Sequence, residues 1–175
     1  LREIASVLYG LSFAGHEIVS YFLANGLIRL LGDRAQWQAV CADPSLIPGA
    51  AEEILRFDSP QTSWRRVAVR DTAIAEIEIP EGTQVFLSLA SANHDPAQFK
   101  NPDGFDIHRE NSRSHISFGR GMHFCLGNRL ATMEAVILLE TMTARAPDLA
   151  LVPDMDISYI PNFTLRGPRE LWLTW

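Results

Sequence analysis

Residues 117 to 129 read Ser117-Phe-Gly-Arg-Gly-Met-His-Phe-Cys125-Leu-Gly-Asn-Arg129, and the remaining chain is best understood outward from them. Cys125 stands among three glycines, Gly119, Gly121 and Gly127. An apolar pattern of helical period follows at once: Leu126, Leu130, Met133 and Ile137 recur at steps of four, three and four. The spacing predicts a tight glycine-rich loop that presents Cys125 at a helix N-terminus. Free backbone N–H groups and the positive end of the helix dipole lie there, and both favour a thiolate over a thiol. Glycines allow φ > 0 and the close approach of a flat group. Such a thiolate suits an axial ligand to haem iron. A free cysteine packed as a small hydrophobe is the ordinary alternative.

Phe118, Gly121, Cys125 and Gly127 form F-x-x-G-x-x-x-C-x-G, with His123 two residues before the cysteine. This resembles the haem-binding loop of the cytochromes P450, the haem-thiolate monooxygenases. The resemblance implies haem b as cofactor, Cys125 as its metal ligand, and Phe118, Gly119, His123 and Gly127 as further haem-binding residues, His123 through a propionate.

Upstream, Arg2 to Leu31 contains no proline and is apolar on nearly every face. It predicts a helix roughly 43 Å long that crosses the interior, with Gly32 as C-cap. Its small residues Gly10, Ala14 and Gly15 weaken it locally, so helix–helix packing is the plain expectation there. Ala14-Gly15-His16-Glu17 also resembles the family's A-G-x-[D/E]-T segment over the distal face of haem. By that resemblance Ala14, Gly15, Glu17 and Ile18 are catalytic-site residues, with Ala14 lining the substrate pocket. Ile18 departs from the pattern. It occupies the position of a threonine whose hydroxyl helps deliver protons, and it has no hydroxyl to offer. Glu17, Ser20, water or a substrate hydroxyl would have to substitute.

Asp33 to Asp43 reads as a short helix ended by Pro44 and Pro48, with Trp37 and Cys41 on one core-facing side. Ala50 to Phe57 reads as the next helix, stopping before Ser59-Pro60. It carries Glu53 and Arg56 three apart, ordinarily a solvated pair worth about 0–1 kcal/mol. Ile54, Leu55 and Phe57 around them favour burial. The pair matches the family's E-x-x-R signature, and Arg109, in Phe99-Lys-Asn-Pro-Asp-Gly-Phe105-Asp-Ile-His-Arg109, is the implied third member of a structural triad. Trp64–Arg70, Ile74–Ile79 and Gln84–Leu89 read as short strands, with a turn at Pro80-Glu81-Gly82. Arg66 resembles the strand arginine that pairs with a haem propionate; arginine's planar fork suits a carboxylate. Gln61, Thr62 and Ser63, and Phe163 in the turn Asn162-Phe163-Thr164, line the substrate pocket by the same resemblance. Asn93 to Gly104 reads as loop. His94, His108 and His115 have no metal-ligand spacing and are read as surface or structural. A helix runs from Gly127 to about Arg145 and stops at Pro147. Leu149–Val152, Ile157–Tyr159 and Leu171–Trp175 are short apolar segments.

The bounds from composition agree. The chain has 175 residues, 47% hydrophobic, with a formal net charge of −6; this suits one core and leaves no basic footprint for nucleic acid. Cys41 and Cys125 form neither a disulfide framework nor a metal pair. No run of eighteen uncharged apolar residues occurs, because His16 and Glu17 interrupt the first helix, so no membrane segment is expected. The fold class expected is mainly α with small β-sheets. It comprises the C-terminal portion of the cytochrome P450 fold across residues 1–175: a long central helix, the E-x-x-R helix, a small sheet, the meander, the Cys loop and its following helix. A complete family member is more than twice this long, which implies an N-terminal part that the sequence lacks. The resemblance implies a bacterial, cytoplasmic monooxygenase acting on a small apolar organic substrate. No G-x-G-x-x-G and no iron–sulfur spacing is present, so electrons are expected from an external ferredoxin or flavoprotein reductase, docking near Arg113, Arg120 and Arg129. A peroxide-driven peroxygenase and a non-catalytic helper of the same fold are the alternatives.

Overall fold

The computed structural model describes residues 1–175. α1 spans Arg2–Gly32 and runs through the glycine expected to cap it. Asp33 ends α1 and also starts α2 (Arg34–Ala42), its side chain accepting from the N–H groups of Ala35 and Gln36. α3 spans Ile47–Phe57, beginning three residues earlier than the sequence suggested. Pro44 directly follows Asp43, the C-cap of α2, as expected, whereas Pro48 ends no helix. Each lies in a first helical turn, Pro44 in the 3₁₀ turn Pro44–Leu46 and Pro48 in α3, where the missing N–H would have no partner anyway.

The β-structure is three two-stranded antiparallel pairs. β1 (Ser63–Val67) pairs with β4 (Gln84–Ser88), with Arg66 opposite Val85. The expected strand Ile74–Ile79 is instead the tip of a hairpin, β2 (Thr72–Ile74) against β3 (Ile77–Ile79). Ala75 turns the chain with φ 52°. Alanine seldom adopts this conformation, so no turn residue announced the corner. A short helix, α4 (Leu89–Asn93), replaces the end of the last expected strand. α5 spans Asn128–Arg145, and β5 (Ala150–Leu151) pairs with β6 (Leu173–Thr174).

The core lies where the C-terminal half of α1 meets α2, α3 and α5. Leu30, Trp37, Val40, Ile47 and Ala50 are fully buried there, with Ile54 and Leu139 nearly so. Trp37 fits because its indole N–H donates to Pro147 O at 2.8 Å. Cys41 packs against the same core, and burial pushes its thiol pKa up.

One expectation about burial fails. α1 does not cross an interior along its whole length: its buried residues begin at Phe22, and residues 1–16 are exposed. The stripe Leu126, Leu130, Met133 and Ile137 is likewise exposed, and α5 buries Ala135, Leu139 and Thr143 instead. Both apolar surfaces lack a covering element within these residues. α1 is also long and apolar enough to cross a membrane by length and composition, despite His16 and Glu17.

Candidate haem-thiolate site

Glu53 and Arg56 face inward from α3, with no exposed side-chain surface. Two parallel bonds of 2.8 Å join them, Nε to Oε2 and Nη2 to Oε1. Arg109 Nε adds bonds of 3.2 and 3.1 Å to the two carboxylate oxygens, and Asp106 N donates to Oε1 at 3.0 Å. The remaining guanidinium donors hold the meander. Arg56 reaches Asn93 O, Pro102 O and Gly104 O, and Arg109 reaches Lys100 O, Asn101 O and Gly104 O. Arg56 also stacks over Phe99 at 5.3 Å. Full pairing is the condition under which a buried carboxylate is tolerated. The structure thus brings together the three residues expected to form a triad.

Asn93 carries this network onward, and sequence reasoning missed it. Its O accepts from Arg56, its Nδ2 donates to Ser117 Oγ at 2.8 Å, and its Oδ1 accepts from Ile116 N at 2.9 Å. Ser117 Oγ donates to Leu55 O at 2.6 Å. The base of the Cys loop is therefore fastened to α3 and to the triad through one fully buried asparagine. The only signal in the sequence was a polar residue just before His94-Asp95-Pro96, which reads equally as loop. His115 also proves structural: its side chain is buried and bonds Glu52 at 3.0 Å. His94 bridges Asp103 and Phe57 O, and no His, Cys, Asp and Glu cluster suited to a metal ion occurs.

Beyond Ser117 the loop turns at Gly119 and Gly121, with φ of 72° and 78°. Cys125 N donates to Phe118 O at 3.0 Å, and Asn128 Nδ2 donates to Cys125 O at 2.7 Å. Cys125 is half-buried three residues before α5, whose N-cap is Gly127. The cysteine thus precedes the helix rather than opening it. A Cβ at Gly119, Gly121 or Gly127 would meet nothing within 4 Å, so open space lies beside each of the loop's glycines. Phe124 and Leu126 expose apolar surface there. His123 lies in the 3₁₀ turn Gly121–His123 and Arg66 on exposed β1, and neither has a protein carboxylate within ion-pair distance. A half-buried cysteine flanked by glycines and exposed apolar side chains, with an arginine and a histidine that have no protein carboxylate partner, fits a haem with its propionates.

On α1, Ala14 and Gly15 are exposed, and Glu17 and Ile18 are half-buried. Tyr21 OH donates to Glu17 Oε1 at 2.9 Å, and this hydrogen bond raises the tyrosine pKa above its ordinary value. Ser20 Oγ donates back to His16 O at 2.8 Å. Of the residues weighed against the missing threonine, Ser20 is thus engaged with its own helix.

Residues 61–63 and 162–164 also meet. Thr62 N and Gln61 Nε2 donate to Thr164 O at 2.9 and 3.0 Å, and the hydroxyls of Thr62 and Ser63 donate to Phe163 O at 3.2 Å. Gln61 and Ser63 are buried, so their polar atoms hold the two segments together. Phe163 is 75% exposed, and its ring lies tilted against Phe86 with centroids 4.9 Å apart.

Residues 44–145 match the Cytochrome P450 family model. A biotin biosynthesis cytochrome P450 of Bacillus subtilis is 42% identical over 173 residues, 99% of this chain and 43% of that protein. A steroid C26-monooxygenase of Mycolicibacterium smegmatis is 40% identical over 90% of this chain and 39% of its own length. The solved structure of cytochrome P450 CREJ, in complex with (4-ethylphenyl) dihydrogen phosphate, superposes with a TM-score of 0.96 at 46% identity, over 99% of this chain and 43% of that one. The chain belongs to the cytochrome P450 family, whose cofactor is haem. It spans about two fifths of the length of these relatives. The aligned region takes in almost the whole chain, so α1 is a helix of this fold despite its membrane-like composition.

Proposed function

We propose that this chain is the haem-ligating portion of a bacterial, cytoplasmic haem-thiolate monooxygenase, completed by an N-terminal portion of the same polypeptide. The observation that carries the reading is the Cys125 loop, which has open space beside its glycines and is anchored through Asn93 to the buried Glu53–Arg56–Arg109 triad. In this reading Cys125 ligates the iron of haem b, Phe118, Gly119 and Gly127 form its bed, and His123 and Arg66 hold the propionates. The bound haem supplies dioxygen activation: one oxygen atom enters a C–H bond or an equivalent site of a small apolar substrate, and the other leaves as water with two electrons and two protons. Ala14, Gly15 and Ile18 shape the distal side. Glu17, held by Tyr21, adjoins in sequence the position where the family carries its hydroxyl. Gln61, Thr62, Ser63 and Phe163 wall the substrate pocket. Electrons come from an external ferredoxin or flavoprotein that docks on exposed Arg113, Arg120 and Arg129.

The test is the spectrum of the full-length, reduced, carbon-monoxide-bound protein. A thiolate-type Soret band, lost in Cys125→Ser, is the expected result. An unaltered spectrum in Cys125→Ser would overturn the ligand assignment, and no haem in the native protein would favour a non-catalytic helper. Turnover with peroxide but not with a reductase would move the reading to a peroxygenase, a shift that Ile18 makes worth measuring.

A further inference from the structure

A second ionic node lies at the C-terminus of α3, apart from the Glu53 triad. Asp58 is 4% exposed and receives two arginines. Arg29 of α1 donates to Oδ2 from Nε at 2.8 Å and from Nη2 at 2.6 Å, and Arg166 Nε donates to Oδ1 at 2.8 Å. Asn25 of α1 adds Nδ2 bonds to Asp58 O at 3.1 Å and to Arg166 O at 3.0 Å. Arg166 N donates to Pro60 O at 2.8 Å, and the Arg166 guanidinium lies 3.9 Å from the Tyr159 ring centroid. One carboxylate therefore ties three parts of the chain that are distant in sequence: the central helix, the exit of α3 and the C-terminal segment.

What this node holds is specific. Arg166 stands three residues after Phe163, and Asp58 three before Gln61. Between them run the bonds already described from Gln61, Thr62 and Ser63 to the carbonyls of Phe163 and Thr164, and the bridge Gln61–Leu165. The far side of the segment is fixed too, because a Cβ at Gly167 would overlap the Tyr21 ring. The segment is thus held at its C-terminal end by Arg166 and Gly167 and at Phe163 and Thr164 by residues 61–63, and it carries the Phe163 ring against Phe86. The triad, by contrast, pins the meander and the Cys loop.

The geometry points to Asp58 as a positioning residue for substrate: through Arg166 it sets where Phe163 stands against residues 61–63, and so sets the width of the pocket without touching a ligand. This rests on the reading of those two segments as pocket walls given above. Removing the charge of Asp58 frees the segment to shift, since a buried bond to a charged partner is worth more than a neutral one. A lysine at 166 keeps the charge but loses the planar fork.

The test uses the full-length holoprotein and two probes that ligate haem iron through the same imidazole nitrogen. Imidazole reports access to the iron. 4-Phenylimidazole adds a ring that must lie against the pocket walls. In Asp58→Asn and Arg166→Lys the 4-phenylimidazole Kd is expected to rise about tenfold, equivalent to ~1.4 kcal/mol of binding, while the imidazole Kd and the haem content hold. Equal changes for both probes, or none for either, overturn the inference. Loss of haem in both variants also overturns it, because the node would then serve cofactor retention as the triad does. A native protein that binds neither probe and shows no thiolate-type band fails the function reading itself, which separates the two failures.

Discussion

The two halves of α1 make an instructive contrast. From Phe22 to Leu31 the helix meets α2, α3 and α5, and Asn25 and Arg29 reach the Asp58 node. From Arg2 to His16 the same helix, also rich in apolar residues, is exposed: Leu8 is 58% exposed, Leu11 55% and Phe13 51%. α5 repeats the pattern around its circumference, with Ala135 and Leu139 inside and Leu130, Met133 and Ile137 outside. Hydrophobicity alone therefore does not say what is buried; a partner surface does. Contiguous apolar faces of this kind mark places where something else packs, and the proposed N-terminal portion of the polypeptide is what would cover them. The buried half, by contrast, is completed within these residues and carries the ionic networks.

That contrast can be broken most directly at Glu53. Glu53→Ala leaves Arg56 buried without its carboxylate partner, a change expected to cost about 3–5 kcal/mol. Denaturant unfolding should read that loss, and the full-length protein should no longer retain haem. Full haem content in this variant would show that the buried side is not what holds the site. A pair of truncations along α1 sharpens the comparison. Leu30→Ala, at a fully buried position, should cost about 2–5 kcal/mol. Leu11→Ala in the 175-residue chain should fall within about 0.5 kcal/mol, as surface changes do. In the full-length protein the Leu11 cost should rise toward that of Leu30. An unchanged Leu11 value there would mean that nothing packs on the first half of the helix.

The smallest effect concerns the junction of α1 and α2. The Gln36 side-chain amide, then the backbone of Gln36 and Ala35, hold the Asp33 carboxyl below its usual pKa. Its stabilisation is therefore complete above the ordinary carboxylate range and is lost as pH falls through the depressed folded value. Asp33→Ala should cost on the order of 0.5–1 kcal/mol at neutral pH, at the low end because the cap is exposed. Unfolding curves for native protein and variant should converge under acid. A difference that grew on acidification would contradict the assigned role.

Much of the candidate site was legible because its residues are fixed by local chemistry or by a spacing. Cys125 among its glycines needs a turned loop, and Glu53 with Arg56 needs one helical face. Arg109 came only from the resemblance of its meander to the family's. Other features carried no such mark. Asn93 links triad and loop only because α4 places it at their junction. Asp58 reads as a helix-ending residue until Arg29 and Arg166 arrive from opposite ends of the chain. The β2–β3 hairpin hides behind Ala75, which supplies a positive φ without a turn residue.

By itself the sequence determined the loop that presents Cys125, the placing of Glu53 and Arg56 on one face of α3 and the positions of the longer helices. Periodicity, proline and glycine act within a few residues of themselves, so a linear reading reaches them. Only the tertiary structure decided which faces of α1 and α5 are covered, and that Asn93 and Asp58 are junctions rather than loop polar groups. Burial and long-range hydrogen bonding depend on which distant segments meet, and no local pattern in the chain encodes that.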